Sequence, residues 1–390
     1  MSKLDELIAE YCPDGVEYVK LNNICISKKG NSITKKEIVE GDIPVIAGGQ
    51  KPAYYCNISN RTGETIAISS SGAAGYVSYW NIPIFVSDAF TVEPRDKELL
   101  NLKFLYYFLR SKQQKIYSFK KGGGVPHVYW SDISTLKIPL PPLPVQQEIV
   151  RILDNFTELT AELTAELTAR RKQYEYYRDL LLTFGNNPDI KWMTLGEIGP
   201  VCMCKRIMKA ETSPVGDVPF FKIGTFGKEP DAFISQEKYD EYRKAYSFPK
   251  KGDILISAAG TIGRTVIYDG KPAYYQDSNI VWIDNDESKV LNKYLYYCYA
   301  MKPWAVSTGG TIARLYNDNI ARAKIPVPPL EEQERIVAIL DRFDALCNDL
   351  TSGLPAEIEA RQKQYEYYRD KLLTFPARPK DAKGANEVKA

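Results

Sequence analysis

The chain has 390 residues, 51 Lys and Arg against 49 Asp and Glu for a net charge of +2, with 44% hydrophobic and 12% aromatic content. A chain of this size and make-up can bury more than one core and is not a disordered tail or a wholly basic protein, so any nucleic-acid face must come from clustered cations. No apolar run reaches the roughly 18 residues of a membrane span, and the opening MSKLDELIAEY is polar, so a cytoplasmic location with no membrane partner is expected.

The first predicted segment, residues 1–143, is built of short Val, Ile, Tyr and Thr runs broken by Gly, Pro and Asn. In ETIAISSSGAAGYVSYW the alternation and the glycines predict strands joined by tight turns. The small residues Ser69, Ser70 and Ser71 let backbone approach another surface, phosphate among the candidates; a glycine-rich hairpin inside a sheet is the plainer reading of the same residues. Cations cluster at Lys28 and Lys29, at Lys35 and Lys36, and at Lys120 and Lys121. The last pair opens KKGGGVPHVYW, which sets Gly123, the single histidine His127 and Tyr129 side by side. A mixture of cation, imidazole and aromatic ring suits contact with a groove.

Next comes a predicted helical spacer, 144–184. Prolines 141, 142 and 144 suggest a stiff, extended lead-in. From Ile149 onward apolar residues recur every three or four positions to Phe184, a stripe of 36 residues without Gly or Pro. Such a helix is about 54 Å long, too long for one small module to cover, so pairing with an equivalent helix is expected. Inside it, TELTAELTAELTA (157–169) has a four-residue period, and each added tetrad would lengthen the helix by roughly 6 Å, as in a ruler. The tyrosines of this segment, Tyr174, Tyr176 and Tyr177, with Phe156, are candidates for a protein partner because phenols favour wet interfacial edges.

A second variable segment, 185–330, follows. Its strand-forming stretch is GDILISAAGTIGRTVIYDG, with Ser257, Thr261 and Arg264. Cations stand at Lys205, Arg206 and Arg243, and STGGTIARLY supplies Gly310, Arg314 and Tyr316. A second helical segment, 331–377, repeats the stripe through Phe343, Tyr365 and Tyr368, with a turn or kink expected at Gly353 and Pro355, and Phe343, Tyr365, Tyr367 and Tyr368 are its matching candidates for a protein partner. The tail 378–390 has few apolar residues and is expected to be flexible. The seven cysteines lack paired CxxC spacing, which predicts core thiols and no metal site.

The two halves are copies. KQYEYYRDLLLTF at 172–184 returns as KQYEYYRDKLLTF at 363–375, with 12 of 13 positions identical. KIPLPPL and KIPVPPL, QQEIVRILDNF and QERIVAILDRF, ISSSGAAG and ISAAGTIG, and FLYYFL and YLYYCY follow in the same order. The fold class predicted is therefore α+β: two mixed α/β modules joined by two long antiparallel, coiled-coil-like helices in a pseudo-twofold internal repeat.

The order of variable segment, KIPxPPL, QxxIVxILD helix, TAEL tetrads and RKQYEYYRD, then the whole again, resembles the DNA-specificity subunit of type I restriction-modification systems from Pro13 to Phe375. The GGGVPHV loop and the Gly353–Pro355 interruption depart from that pattern. The resemblance implies two target-recognition domains, each reading half of a bipartite, asymmetric site in double-stranded DNA. It also implies two copies of an adenine methyltransferase (modification) subunit on the helices, and restriction subunits joining indirectly. S-adenosylmethionine, ATP and Mg would be bound by those partners, leaving this chain without a cofactor and without catalysis of its own. The sequence carries no NPPY- or DPPY-type motif and no complete P-loop, which agrees with a non-enzymatic role. Half-sites about one helical turn apart, near 34 Å, are the matching expectation. The rival reading is a free-standing tandem DNA-binding or scaffolding protein.

Overall fold

The computed structural model describes residues 2–33, 39–185, 187–306 and 314–379. Lys35, Lys36 and Gly310 lie outside them. The chain divides into two compact units, residues 1–164 with 357–390, and residues 165–356. Each division falls inside a helix, so the structural unit is a cyclic permutation of the sequence repeat: tyrosine-rich helix first, then variable module, then the QxxIVxILD helix.

In the first unit a four-stranded antiparallel sheet runs in the order Cys25–Lys29, Ala89–Pro94, Thr65–Ser69, Val77–Trp80. Beside it stands a three-stranded sheet of Tyr54–Cys56, Ile43–Ile46 and Phe85–Val86, the last pairing parallel. A short ladder joins Tyr18–Lys20 to Lys137–Pro139. The second unit repeats all three: Val201–Cys202, Ile280–Ile283, Ile254–Ser257, Thr265–Ile267; then Phe233–Ile234, Val218–Phe221, Tyr274–Tyr275; then Lys191–Thr194 with Lys324–Val327. The α+β prediction holds, and the glycine-rich stretches are hairpins of the larger sheets. Gly75 (φ +87°) and Gly263 (φ +76°) need the left-handed turn, and a Cβ on either would press on Ile116 or Trp304 of the same unit.

Both cores close in the same way. The helix Leu102–Ser111 buries Phe104, Leu105 and Phe108 against the first sheet, and Asn292–Ala300 buries Tyr294, Leu295 and Tyr297 against the second. The fully buried Gln146 donates from Nε2 to the carbonyls of Leu99 (2.9 Å) and Pro141 (2.7 Å) and accepts from the Asn101 N–H (2.8 Å). Gln333 repeats this on Lys289, Pro328 and Leu291 at 2.9, 2.8 and 2.9 Å. These bonds fasten the start of each long helix to the loop before the core helix, where proline-rich backbone has few donors of its own. Asp154 then takes Lys103 (2.7 Å) and Tyr107 (2.6 Å), and Asp341 takes Lys293 (3.0 Å) and Tyr297.

The spacer helix runs Leu143–Leu182, 40 residues and about 60 Å. Pro144 lies inside its first turn rather than in an extended lead-in, because an N–H missing there would have had no helical partner. Between Leu153 and Leu182 none of its residues is buried. The threonines Thr157, Thr160 and Thr164 donate to carbonyls four residues back. The second long helix is two helices, Leu330–Asn348 and Leu354–Leu372, with the predicted interruption forming a turn at 349–353. Pro355 begins the next helix and does not break one. In the second unit the spacer's later half runs antiparallel to Leu330–Asn348: Arg171 donates to the Cys347 carbonyl (3.5 Å), while Tyr177 stacks on Phe343 (5.6 Å).

Candidate nucleic-acid interface

At the end of the central hairpin strand of the first unit, the Ser70 N–H donates to the Asp88 carbonyl (3.1 Å) and the Ser70 carbonyl accepts from the Val128 N–H (3.0 Å). That pair of bonds brings the hairpin, the strand beginning at Ala89 and the glycine loop to one edge. In the second unit Ala258 takes the same place, its N–H donating to the Asn279 carbonyl (2.7 Å) and its carbonyl accepting from the Leu315 N–H (2.9 Å). The two sites therefore share a backbone frame and carry different side chains.

In the first unit the frame brings Lys29, Ser70, Asp88, Tyr129 and Trp130 around a groove of about 410 Å³. Ser71 Oγ donates to the Asp88 carboxylate. His127 is half-buried, bonded through its backbone to Lys121, with its ring parallel to that of Tyr129 at 6.2 Å. Tyr129 is 52% exposed. Lys121 pairs with Asp132 at 2.6 Å, Lys120 lies over the Tyr117 ring at 4.6 Å, and Gly123 is open to solvent. Lys28 pairs with Glu93 on the neighbouring strand.

Ser69 and Ser257 are buried. The hydroxyl of Ser69 donates to the Ala47 and Gly49 carbonyls (3.2 Å each); that of Ser257 donates to the Thr261 carbonyl and accepts from the Arg264 N–H (2.9 Å). Ser257 holds its own turn from within, Ser69 ties its strand to the loop at 47–49, and neither offers anything to a ligand, because a hydroxyl already bonded and without solvent access has no partner to take up. Thr261 is exposed, and Arg264 is tied to the Phe226 carbonyl at 2.8 Å.

In the second unit Arg206 binds Asp277 through Nε (2.8 Å), and Arg314 donates from NH2 to the Ser278 carbonyl (3.1 Å). Tyr316 is 55% exposed, matching Tyr129. Lys205 lies over the Tyr246 ring at 5.0 Å, while Arg243 sits apart against the rings of Tyr239 and Phe248. Sequence reading missed Asp88, Asp277, Ser278 and Asn279. A signal was present, since SDAF and QDSNI precede equivalent strands, but it shows only after the strands are aligned.

Of the residues expected on a partner surface, none is fully buried, and several also make ring contacts within their own unit. Phe156 stacks on Tyr368 (5.6 Å, planes 20° apart), and Tyr174 and Tyr177 lie against Phe343. Arg178 and Arg369 cover the faces of Tyr174 and Tyr365, and burial pushes the Tyr365 phenol up to about 12. Tyr176 and Tyr367 point outward, 64% and 62% exposed. Each is edge-on to its neighbour, Tyr177 or Tyr368, at 5.4 and 5.3 Å. Among the described residues, no group of three or more His, Cys, Asp or Glu could hold a metal, and no helix is long and apolar enough to cross a membrane.

Comparison with known proteins gives this geometry a family. The model of the type I restriction modification DNA specificity domain matches residues 13–170 and again residues 187–360. A putative type I restriction enzyme specificity subunit of Haemophilus influenzae is 50% identical over 348 residues, 86% of this chain and 89% of that protein. A type I restriction enzyme specificity subunit of Escherichia coli is 36% identical over 296 residues, 70% and 71% of the two chains. In fold, the chain is similar to the crystal structure of a type I restriction-modification system S subunit from M. genitalium, with a TM-score of 0.60 at 21% identity, covering 92% of this chain and 96% of that one. With its domain present twice and its relatives spanning most of its length, the chain belongs to the family of type I restriction-modification DNA specificity subunits.

Proposed function

We propose that this specificity subunit reads a split, asymmetric site in double-stranded DNA, one half with each unit, and holds two copies of the methyltransferase subunit through the matched faces around Tyr176 and Tyr367. Restriction subunits join through those partners. The observation that carries this reading is the duplicated frame at Ser70 and Ala258, which mounts lysine, carboxylate and imidazole in one unit and two arginines in the other. One scaffold with two sets of side chains suits two unlike half-sites, since base edges are distinguished by side-chain donors and acceptors. The near-equal exposure of Tyr176 and Tyr367 supports two equivalent docking sites.

The chemistry belongs to the partners on this reading. They bind S-adenosylmethionine, ATP and Mg, and flip out and methylate the adenine that this chain locates. The threonine-bonded, unburied tract 157–169 sets the gap between half-sites. Adding one tetrad lengthens that helix by about 6 Å, between one and two base-pair steps of roughly 3.4 Å. Mapping of methylated adenines with tetrad-insertion and tetrad-deletion variants tests this: the spacer between half-sites shifts in length, and an unchanged spacer refutes the ruler. Tight, specific binding by the chain alone, with no methyltransferase copurifying, would instead favour a free-standing DNA-binding protein.

A further inference from the structure

The two sheets can be aligned by register, and the alignment isolates two residues. Ser69 pairs with Ala89 and Ser257 with Ile280, so Ala89 and Ile280 are equivalent; Val86 pairs with Ile46 as Tyr275 pairs with Phe221. Between those fixed points the first unit has Ser87 and Asp88, and the second has Gln276, Asp277, Ser278 and Asn279. The N–H groups of Ser87 and Gln276 donate to equivalent carbonyls, of Ile46 (2.8 Å) and Phe221 (2.9 Å). The carbonyls of Asp88 and Asn279 accept from equivalent N–H groups, of Ser70 and Ala258. The additional residues in the second unit are therefore Asp277 and Ser278.

Both hold an arginine. Asp277, its side chain only 16% exposed, accepts from Nε of Arg206, whose side chain is 64% exposed. Ser278 sits at φ +53°, a left-handed conformation costly for a residue with a Cβ, and its carbonyl accepts from Arg314 NH2, with the Asn279 amide oxygen 3.5 Å from the same nitrogen. The first unit has neither arginine. Val128 and Leu315 are equivalent by their bonds, so His127 stands where Arg314 does. Lys28 is the strand equivalent of Cys202, and Ser32 lies four residues past Lys28 as Arg206 lies four past Cys202. A guanidinium held at Nε keeps its two terminal nitrogens as a fixed fork. That fork matches guanine O6 and N7, and holding it in advance removes rotamer entropy that binding would otherwise cost.

We propose that the Asp277–Ser278 insertion is a positioning device that aims Arg206 at a guanine edge, with Arg314 held on the adjacent residue, so that the second half-site contains a guanine read by Arg206 while the first half-site is read without a counterpart of either arginine. The inference rests on the proposed DNA reading and assigns one base of it.

The test uses the full chain expressed with its methyltransferase partner, selection of bound duplexes from a library randomised over both half-sites, and salt titration of binding. Arg206→Gln lowers preference for one guanine of the second half-site by about ten- to a hundredfold and leaves the first half-site as it was. Asp277→Asn relaxes the same position while keeping the salt slope, since the cation remains, and Asp277→Glu restores part of the preference. The double variant loses no more than Arg206→Gln alone. Both side chains are outside the core, and unchanged melting of the variants shows that the fold is intact. An unaltered motif, or a weakening equal for all sequences with a smaller salt slope, would mean a phosphate contact and overturn the proposal. A wild-type selection that yields no two-part motif would instead be a failure of the proposed function itself.

Discussion

Phe156 stacks on Tyr368 with ring centroids 5.6 Å apart, which joins the early part of the spacer helix to a helix more than 200 residues later in the chain. Phe343 and Tyr177 make the matching stack in the other unit, 5.6 Å apart with planes at 25°. Each unit thus holds a QxxIVxILD helix against a KQYEYYRD helix, taken in opposite order along the chain. Replacing Phe156 by Ala should cost about 2 kcal/mol, an aromatic pair worth roughly 1 kcal/mol plus the burial of a half-covered ring. Urea unfolding reads this, and Phe343→Ala should lose a similar amount. A variant as stable as the parent would show that the stack contributes nothing.

Tyr176 and Tyr367 should behave in the opposite way. Exposed as they are, replacing either by Ala should leave stability within about 0.5 kcal/mol. On the proposed reading, each replacement removes an aromatic anchor from one of two docking faces and weakens that face by about 1 kcal/mol or more, roughly fivefold or greater. Mass measurement of the purified complex should find the methyltransferase falling from two copies toward one in either variant, and toward none in the double variant. Two copies retained at low concentration in the double variant would remove these tyrosines from the interface.

The buried amides of Gln146 and Gln333 are the cleanest stability test. Gln146→Ala leaves the Asn101 N–H and two carbonyls without their partner in a site closed to water, at about 2–3 kcal/mol. Gln146→Glu is expected to be at least as costly, because one carboxylate oxygen must face the carbonyls of Leu99 and Pro141. Thermal melting of both variants, and of the Gln333 pair, checks this; melting points equal to the parent would mean that water replaces the amide.

Much of this architecture could be read from the residues. The doubling, the helices and the hairpins follow from periodicity and from identical runs, because those signals are local. The cyclic permutation could not be read, since it depends on which helix face meets which module, and the stripe from Phe156 to Tyr177 is equally apolar to any partner. Tyr174 and Tyr176 differ by two positions, hence by about 200° around a helix, and only packing decides which of them faces out. At the candidate DNA face the residue types were legible as basic clusters, whereas the carboxylates that orient them were not. Asp277 has no neighbour in sequence that announces Arg206, which is 71 positions away. Ser69 and Ser257 show the converse: a turn rich in hydroxyls looks like a binding loop until its bonds are seen to close inward.

The turn between the two helices of the second spacer gives a prediction with a sign in pH. Asp349 accepts from the Ser352 hydroxyl (2.5 Å) and the Thr351 hydroxyl (2.6 Å) and backbone N–H (2.7 Å), and these bonds, that of Ser352 first, hold its carboxyl well below the usual range. A depressed acid stabilises the fold above its unfolded value, near pH 3.9, and loses that contribution as the pH falls toward the folded value. Asp349→Asn should therefore melt below the parent at pH 7, with the gap narrowing steadily below about pH 4. Gly353→Ala, whose Cβ would stand 2.5 Å from the Ala345 carbonyl oxygen, should destabilise the same turn by more than about 1 kcal/mol at every pH, because steric overlap does not titrate. Melting curves of both variants across pH 3–8 separate the two effects, and a gap for Asp349→Asn that stayed constant through that range would show that its charge has no part in closing the turn.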